Sequence, residues 1–125
     1  MKKWPLLVAL LATPVLLSPT LPVAYAGQLT SKLGDLSSLE TIASDTLVLV
    51  DKGDFKAAKK RITDFETAWD KAEPTMRPKN IDEWGVIDDA ADAAITSLRT
   101  SKPKAADAKT TVSALIDTLK NPVAD

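Results

Sequence analysis

Asp88, Asp89 and Asp92, preceded by Asp82 and Glu83, are the side chains best spaced for chemistry in this sequence. On a helix, positions three and four apart share one surface, so these carboxylates can approach one another and attract a hard cation such as calcium or magnesium. They are the candidate metal ligands of the chain. The plainer use of the same residues is a solvated acidic face near a helix start, where negative charge complements the helix dipole. A cation would also need further oxygens, and no loop with EF-hand spacing supplies them. The basic counterpart is Lys56, Lys59, Lys60 and Arg61, the candidate partner-binding residues. They can meet anionic lipid head groups, an acidic polymer or an acidic protein. As the outer face of an amphipathic helix they would be solvated instead, with Lys60 and Asp64 paired four residues apart. Positive charge at a helix start is slightly unfavourable to the dipole, which hints at a contact surface. Trp69 and Trp84 form the third group, candidate ligand-binding residues. Two indoles beneath one loop, with Met76 and Ile81, can hold a small apolar ligand, although core filling is their default use.

Missing residue types exclude more than the present ones suggest. The chain has no Cys, hence no disulfide, thiolate nucleophile, Cys-type metal site or lipid-acceptor Cys. It has no His either, which removes the commonest general base and the commonest transition-metal ligand. No Gly-rich phosphate loop, nucleophile elbow or Ser-x-x-Lys motif is present. No catalytic residue and no cofactor are expected, and the reading is of a protein that is not an enzyme. Acidic residues number 17 against 16 basic ones, a balance unlike that of a nucleic-acid binder.

The elements that must position these groups are read from periodicity. Phe55, Ala58, Ile62, Phe65, Trp69, Ala72 and Met76 alternate steps of three and four, which puts them on one helix face behind an Asp54 cap. Pro74 and Pro78 predict that regular helix ends before Met76. Upstream, Leu36, Leu39, Ala43, Leu47 and Val50 make a similar stripe, and Lys52-Gly53-Asp54 ends one helix and caps the next. Downstream, Asn80 or Asp82 caps a third helix with Trp84, Ile87, Ala91, Ile95 and Leu98 on one face, ending near Ser101. A fourth opens with Pro103 in its first turn and carries Ala105, Ala108, Val112, Leu115 and Leu119 before Asn121-Pro122 stops it. Four such stripes with short connections predict an all-α, up-down-up-down four-helix bundle over residues 27–125. The run Gly53-Asp54-Phe55-Lys56-Ala57-Ala58 is similar to the turn of a tetratricopeptide repeat, but one copy makes no solenoid, which needs about three.

Residues 1–26 read as an export signal: Lys2 and Lys3, a mostly apolar stretch from Leu6 to Leu17, and the small-x-small pattern Ala24-Tyr25-Ala26 ahead of Gly27. The apolar stretch is shorter than the roughly 20 residues a bilayer crossing needs, and it contains Pro14. Cleavage would remove two lysines and no acid, leaving a mature chain more acidic than the formal net charge of −1. A periplasmic or secreted product with no transmembrane segment in the mature chain is expected.

The run Thr46-Leu47-Val48-Leu49-Val50-Asp51-Lys52-Gly53-Asp54-Phe55, then Arg61-Ile62 with Trp69-Asp70-Lys71-Ala72-Glu73, then Glu83-Trp84 through Ile87-Asp88 to Leu98-Arg99, resembles a group of small exported helical proteins of bacteria. Members are often without an assigned function, and some carry an automatic histidine-kinase label. This chain has no His to phosphorylate, so the resemblance implies compartment and fold and transfers no catalytic residue. Together these readings lead to an envelope accessory or sensory module that binds a protein partner through the Lys56 to Arg61 or the Asp82 to Asp92 face. The alternative is a periplasmic carrier of a divalent cation or small ligand.

Overall fold

A computed structural model describes residues 31–122, so the expected export segment over residues 1–26 lies outside the described residues. The described residues fold as four α-helices: α1 (Ser37–Asp51), α2 (Phe55–Met76), α3 (Ile81–Arg99) and α4 (Ala105–Lys120). One 3-10 turn, Arg77–Lys79, joins α2 to α3, and there is no strand among the described residues. Each helix packs against its neighbours in the chain, and α1 also packs against α4. The four thus close around a single core that includes Ile62, Phe65, Ile87, Leu98, Val112 and Leu115.

Local chemistry sets the helix ends. Gly53 sits at φ 75°, in the left-handed region, and its N–H reaches the Val50 carbonyl at 2.9 Å. The Asp54 N–H reaches the Leu49 carbonyl at 2.9 Å, completing a Schellman closure of α1. The Asp54 carboxylate then accepts the Ala57 N–H at 3.1 Å, so one residue both finishes α1 and caps α2. Of the two caps expected for α3 the structure uses Asn80, whose side-chain oxygen accepts the Glu83 N–H at 2.9 Å.

Proline behaves differently from expectation at two places. Regular helix continues through Pro74 to Met76, where an earlier end is predicted from sequence. A proline there removes only the bond to the Asp70 carbonyl; both residues are exposed, so water can satisfy that oxygen, and the Arg77 N–H still closes on Glu73. Pro103 lies before α4 rather than in its first turn, because Lys104 holds an extended conformation as N-cap.

Most residues of the predicted stripes face the core; Phe55, Ala72 and Met76 at the ends of the α2 stripe are only half-buried, and α1 and α4 show two exchanges. In α1 the fully buried positions include Thr46, whereas Leu47 is half-buried. The Thr46 hydroxyl donates to the Ile42 carbonyl at 2.9 Å, so it can be buried without an unsatisfied group. Ala105 is exposed, and Ile116 takes a core place beside Val112, Leu115 and Leu119. Buried alanines on every helix, Ala43, Ala58, Ala91, Ala94 and Ala108, allow close backbone approach between the larger side chains. Leu33 and Leu36, ahead of α1, are also buried, so the segment Ser31–Leu36 belongs to the core's boundary.

Gly53 has open space where a Cβ would stand, so any penalty at this position is purely conformational. Gly53→Ala is expected to lower unfolding stability by about 1–2 kcal/mol, and Gly53→Asn by less, in urea titrations followed by circular dichroism.

Candidate functional site

The α2–α3 seam gathers most of the polar and aromatic groups singled out in the sequence. Trp69 and Trp84 are 3% and 5% exposed, and their rings stack face to face with centroids 3.5 Å apart and planes at 6°. Each indole fills the space against the other, so the pair is core and leaves no room for a ligand between the rings. Face-to-face stacking is the arrangement that ring quadrupoles favour least, so something must hold the register. The Trp69 indole N–H does so by donating to Asp88 Oδ1 at 2.9 Å. Phe65 extends the aromatic column, its ring 6.2 Å from Trp69. Met76 is half-buried and packs against the hydrophobic core, whereas Ile81 is 59% exposed.

This geometry divides the roles of the acidic residues. Asp88 anchors Trp69, while Asp89 and Asp92 are exposed. Among the described residues no three acidic side chains converge into a group that could hold a metal ion. Asp92 nevertheless feels its surroundings. Desolvation first, then Asp88 and Asp89 on its own helix and Glu66 and Asp70 on α2, push its carboxyl above the usual range. Glu66 is itself drawn towards Arg99, which donates to its two oxygens at 2.6 and 3.3 Å and to Thr63 at 3.3 Å. Attraction and repulsion therefore lie side by side along one seam.

Glu83 has a role that sequence reasoning missed. It is 9% exposed, and one carboxylate oxygen accepts both the Ser31 hydroxyl and the Lys32 N–H at 3.1 Å. The same Ser31 oxygen accepts the Leu33 N–H at 3.0 Å, which shapes the turn that delivers Leu33 to the core. Asn80 and Glu83 have capping-box spacing, in which the glutamate would reach back to the cap's own N–H. Here it clamps a segment more than a helix-length away in sequence, a partner no local pattern reveals.

The basic group separates by residue type. Arg61 bridges Asp45 on α1 at 2.9 Å and Asp64 on its own helix at 3.1 Å. Its fork takes the Asp64 carboxylate that sequence spacing assigns to Lys60. Arg61 is therefore engaged in joining α1 to α2. Lys56, Lys59 and Lys60 are exposed and make no ion pair among the described residues.

Two substitutions read the seam. Asp88→Ala should cost about 1–2 kcal/mol by leaving the Trp69 N–H without its acceptor and should alter the near-ultraviolet dichroism of the indoles, whereas Asp88→Asn keeps an acceptor and loses less. Asp92→Asn should stabilise the fold by about 0.3 kcal/mol near neutral pH, the size of one exposed like-charge contact. Because folding raises the Asp92 pKa, its ionised form destabilises the native state above that pKa, and the penalty disappears as pH falls towards the ordinary value of 3.8. The Asn variant's advantage should therefore shrink in urea titrations carried down through that window.

No protein-family model, curated protein or solved structure matches the chain.

Proposed function

We propose that this chain is an exported, non-catalytic binding module of the cell envelope, periplasmic or secreted, built as an up-down-up-down four-helix bundle. Several contacts support that topology. Stepping back along α2 from its loop, Trp69 meets Trp84 and Glu66 meets Arg99, so α3 advances as α2 recedes. Asp45 meets Arg61 across the three-residue turn between α1 and α2, and Ser97 meets Thr111 at 2.7 Å across the next connection. The leader-like segment and the resemblance to small exported helical proteins support the compartment. The absence of His and Cys from the sequence supports a role in binding rather than catalysis.

One observation carries the reading of the contact surface. Lys56, Lys59 and Lys60 occupy the first turns of α2, where positive charge opposes the helix dipole, yet no carboxylate among the described residues neutralises them. Local stability gains nothing from them there, whereas an anionic partner would. Such a contact steers and orients more than it tightens, so it is transient and sensitive to salt.

Amine-reactive footprinting in intact cells tests the surface. Lys56, Lys59 and Lys60 should be modified more slowly in cells than in purified protein, while Lys71 and Lys120 react alike in both. Equal reactivity of all five would sink the assignment. The mass of the protein that cells accumulate is expected to place its first residue at Gly27, and a chain retaining Met1 would refute export by cleavage.

A further inference from the structure

Six of the lysines that make no ion pair among the described residues lie at one end of the molecule, whereas Lys32, Lys71, Lys79 and Lys120, equally without one, lie elsewhere. Lys52 follows the last residue of α1, and Lys56, Lys59 and Lys60 lie on the first turns of α2. Lys102 and Lys104 lie in the connection between α3 and α4, far away in sequence. Lys109, near the start of α4, is 3.7 Å from Asp51, the last residue of α1. That pair brings the second connection beside the first, and with it Lys102 and Lys104. Lys52, Lys56, Lys59, Lys60, Lys102 and Lys104 are all exposed, and none of these six makes an ion pair among the described residues. Asp51, Asp54 and Asp107 share this end with the lysines, while Asp82 and Glu73 flank the α2–α3 connection, and Asp70, Asp88, Asp89 and Asp92 run along the seam. Lysines therefore outnumber acids at this end, and most of the other anionic groups lie along the seam and towards the opposite end.

We propose that this lysine end docks the protein, end-on, to an anionic phospholipid surface. The proposal rests on reading the lysines as a contact surface and names what they contact. Three features favour a lipid surface over a protein. The free cations are all lysines, whereas Arg61, Arg77 and Arg99 are each paired with a carboxylate within the fold. An ammonium on a flexible stem is a point charge that suits laterally mobile head groups, while fixed carboxylates on a protein are better met by the planar guanidinium fork. The lysines come from two connections at an end rather than from a single helix stripe, so they can face a plane together. Val48, four residues before Lys52, is 51% exposed, and an apolar side chain beside basic ones can enter the boundary between head groups and acyl chains.

The distribution of acids then sets orientation. An anionic plane repels the seam and attracts the lysine end, so the acidic seam and the Glu83-clamped segment stay turned away from the lipid. No helix among the described residues is long and apolar enough to cross a membrane, which fits attachment to a surface.

The test uses the protein in the form that cells accumulate, co-sedimented with vesicles of phosphatidylcholine alone or containing ~30% phosphatidylglycerol. Partition onto the anionic vesicles, weakening as salt is raised, with little onto the neutral ones, is the expected result. The variant K56E/K60E/K104E should lose at least about tenfold in partition coefficient, while K71E/K120E at the other end should change it less than about twofold. The neutral variant K56Q/K60Q/K104Q should fall in between, which separates charge loss from misfolding if the reversed variant fails to fold by circular dichroism. Equal binding to both vesicle types, no binding, or binding that the neutral and reversed variants retain would each overturn the proposal. Absence of vesicle binding together with lysine protection in cells would leave the contact surface standing and make its partner a protein or acidic polymer. Absence of both would remove the surface itself.

Discussion

The stack of Trp69 on Trp84 is the contact on which the arrangement of the molecule depends. It lies where α2 turns into α3, and so where the first pair of helices meets the second. Two large flat rings in register fix both the separation and the rotation of these helices, which looser aliphatic packing would leave adjustable. The Asp88 carboxylate supplies the register by holding the Trp69 N–H. Once those positions are set, Arg99 comes within 2.6 Å of Glu66, and Asp92 is left facing the remaining acids. The seam thus combines a strong directional lock with a mild repulsion. The repulsion is tolerable because Asp92 stays near water, where like charges are screened.

Much of this fold was legible because alternating steps of three and four have few alternatives to a helix. The α2 stripe from Ala58 to Trp69 and the α3 stripe from Trp84 to Leu98 are core positions in the structure. Gly53 and Asp54 announced the first turn, since one supplies a left-handed conformation and the other a cap. Legibility failed where a residue's partner is remote or its polarity misleads. Thr46 reads as polar, yet a hydroxyl that bonds its own helix can enter a core. Leu47-Val48-Leu49-Val50 is apolar throughout, so the three-four spacing placed both Leu47 and Val50 on the core face, of which only Val50 is fully buried. The two ligation-type groups proved to have structural duties first: Asp88 serves Trp69, and the two indoles serve each other. Glu83 was the hardest case, because the groups it holds belong to a segment that precedes α1.

That clamp has a structural consequence for the same end of the fold. A carboxylate only 9% exposed would be costly without donors, and Ser31 and Lys32 provide them. In return the segment Ser31–Leu36 is tied to the first turn of α3, and Leu33 and Leu36 are buried in the core. Asp35 adds a local brace by accepting the Ser37 N–H at 2.9 Å, which holds its carboxyl below the usual range. The end of the molecule bearing the α2–α3 connection is therefore closed by polar bonds as well as apolar contacts.

The connections that carry Lys52 to Lys60 and Lys102 to Lys104 are built on another principle, and the contrast between arginine and lysine shows it. Arg61 joins α1 to α2, Arg99 joins α2 to α3, and Arg77 meets Glu73 within its own turn at 3.8 Å. A guanidinium can hold two acceptors in fixed directions, so an arginine that reaches two helices at once is useful as a strut. A lysine ammonium is more strongly hydrated and loses more freedom for each bond it makes, so in exposed positions it tends to remain in solvent. With the arginines drawn inwards to the carboxylates, the lysines at the turns are left without internal partners. Much of the charge that contributes little to the fold is then presented at the α1–α2 and α3–α4 connections. The separation of duties is physical rather than accidental: the residues that fix the bundle and those that present charge outward differ in how much order their side chains can accept.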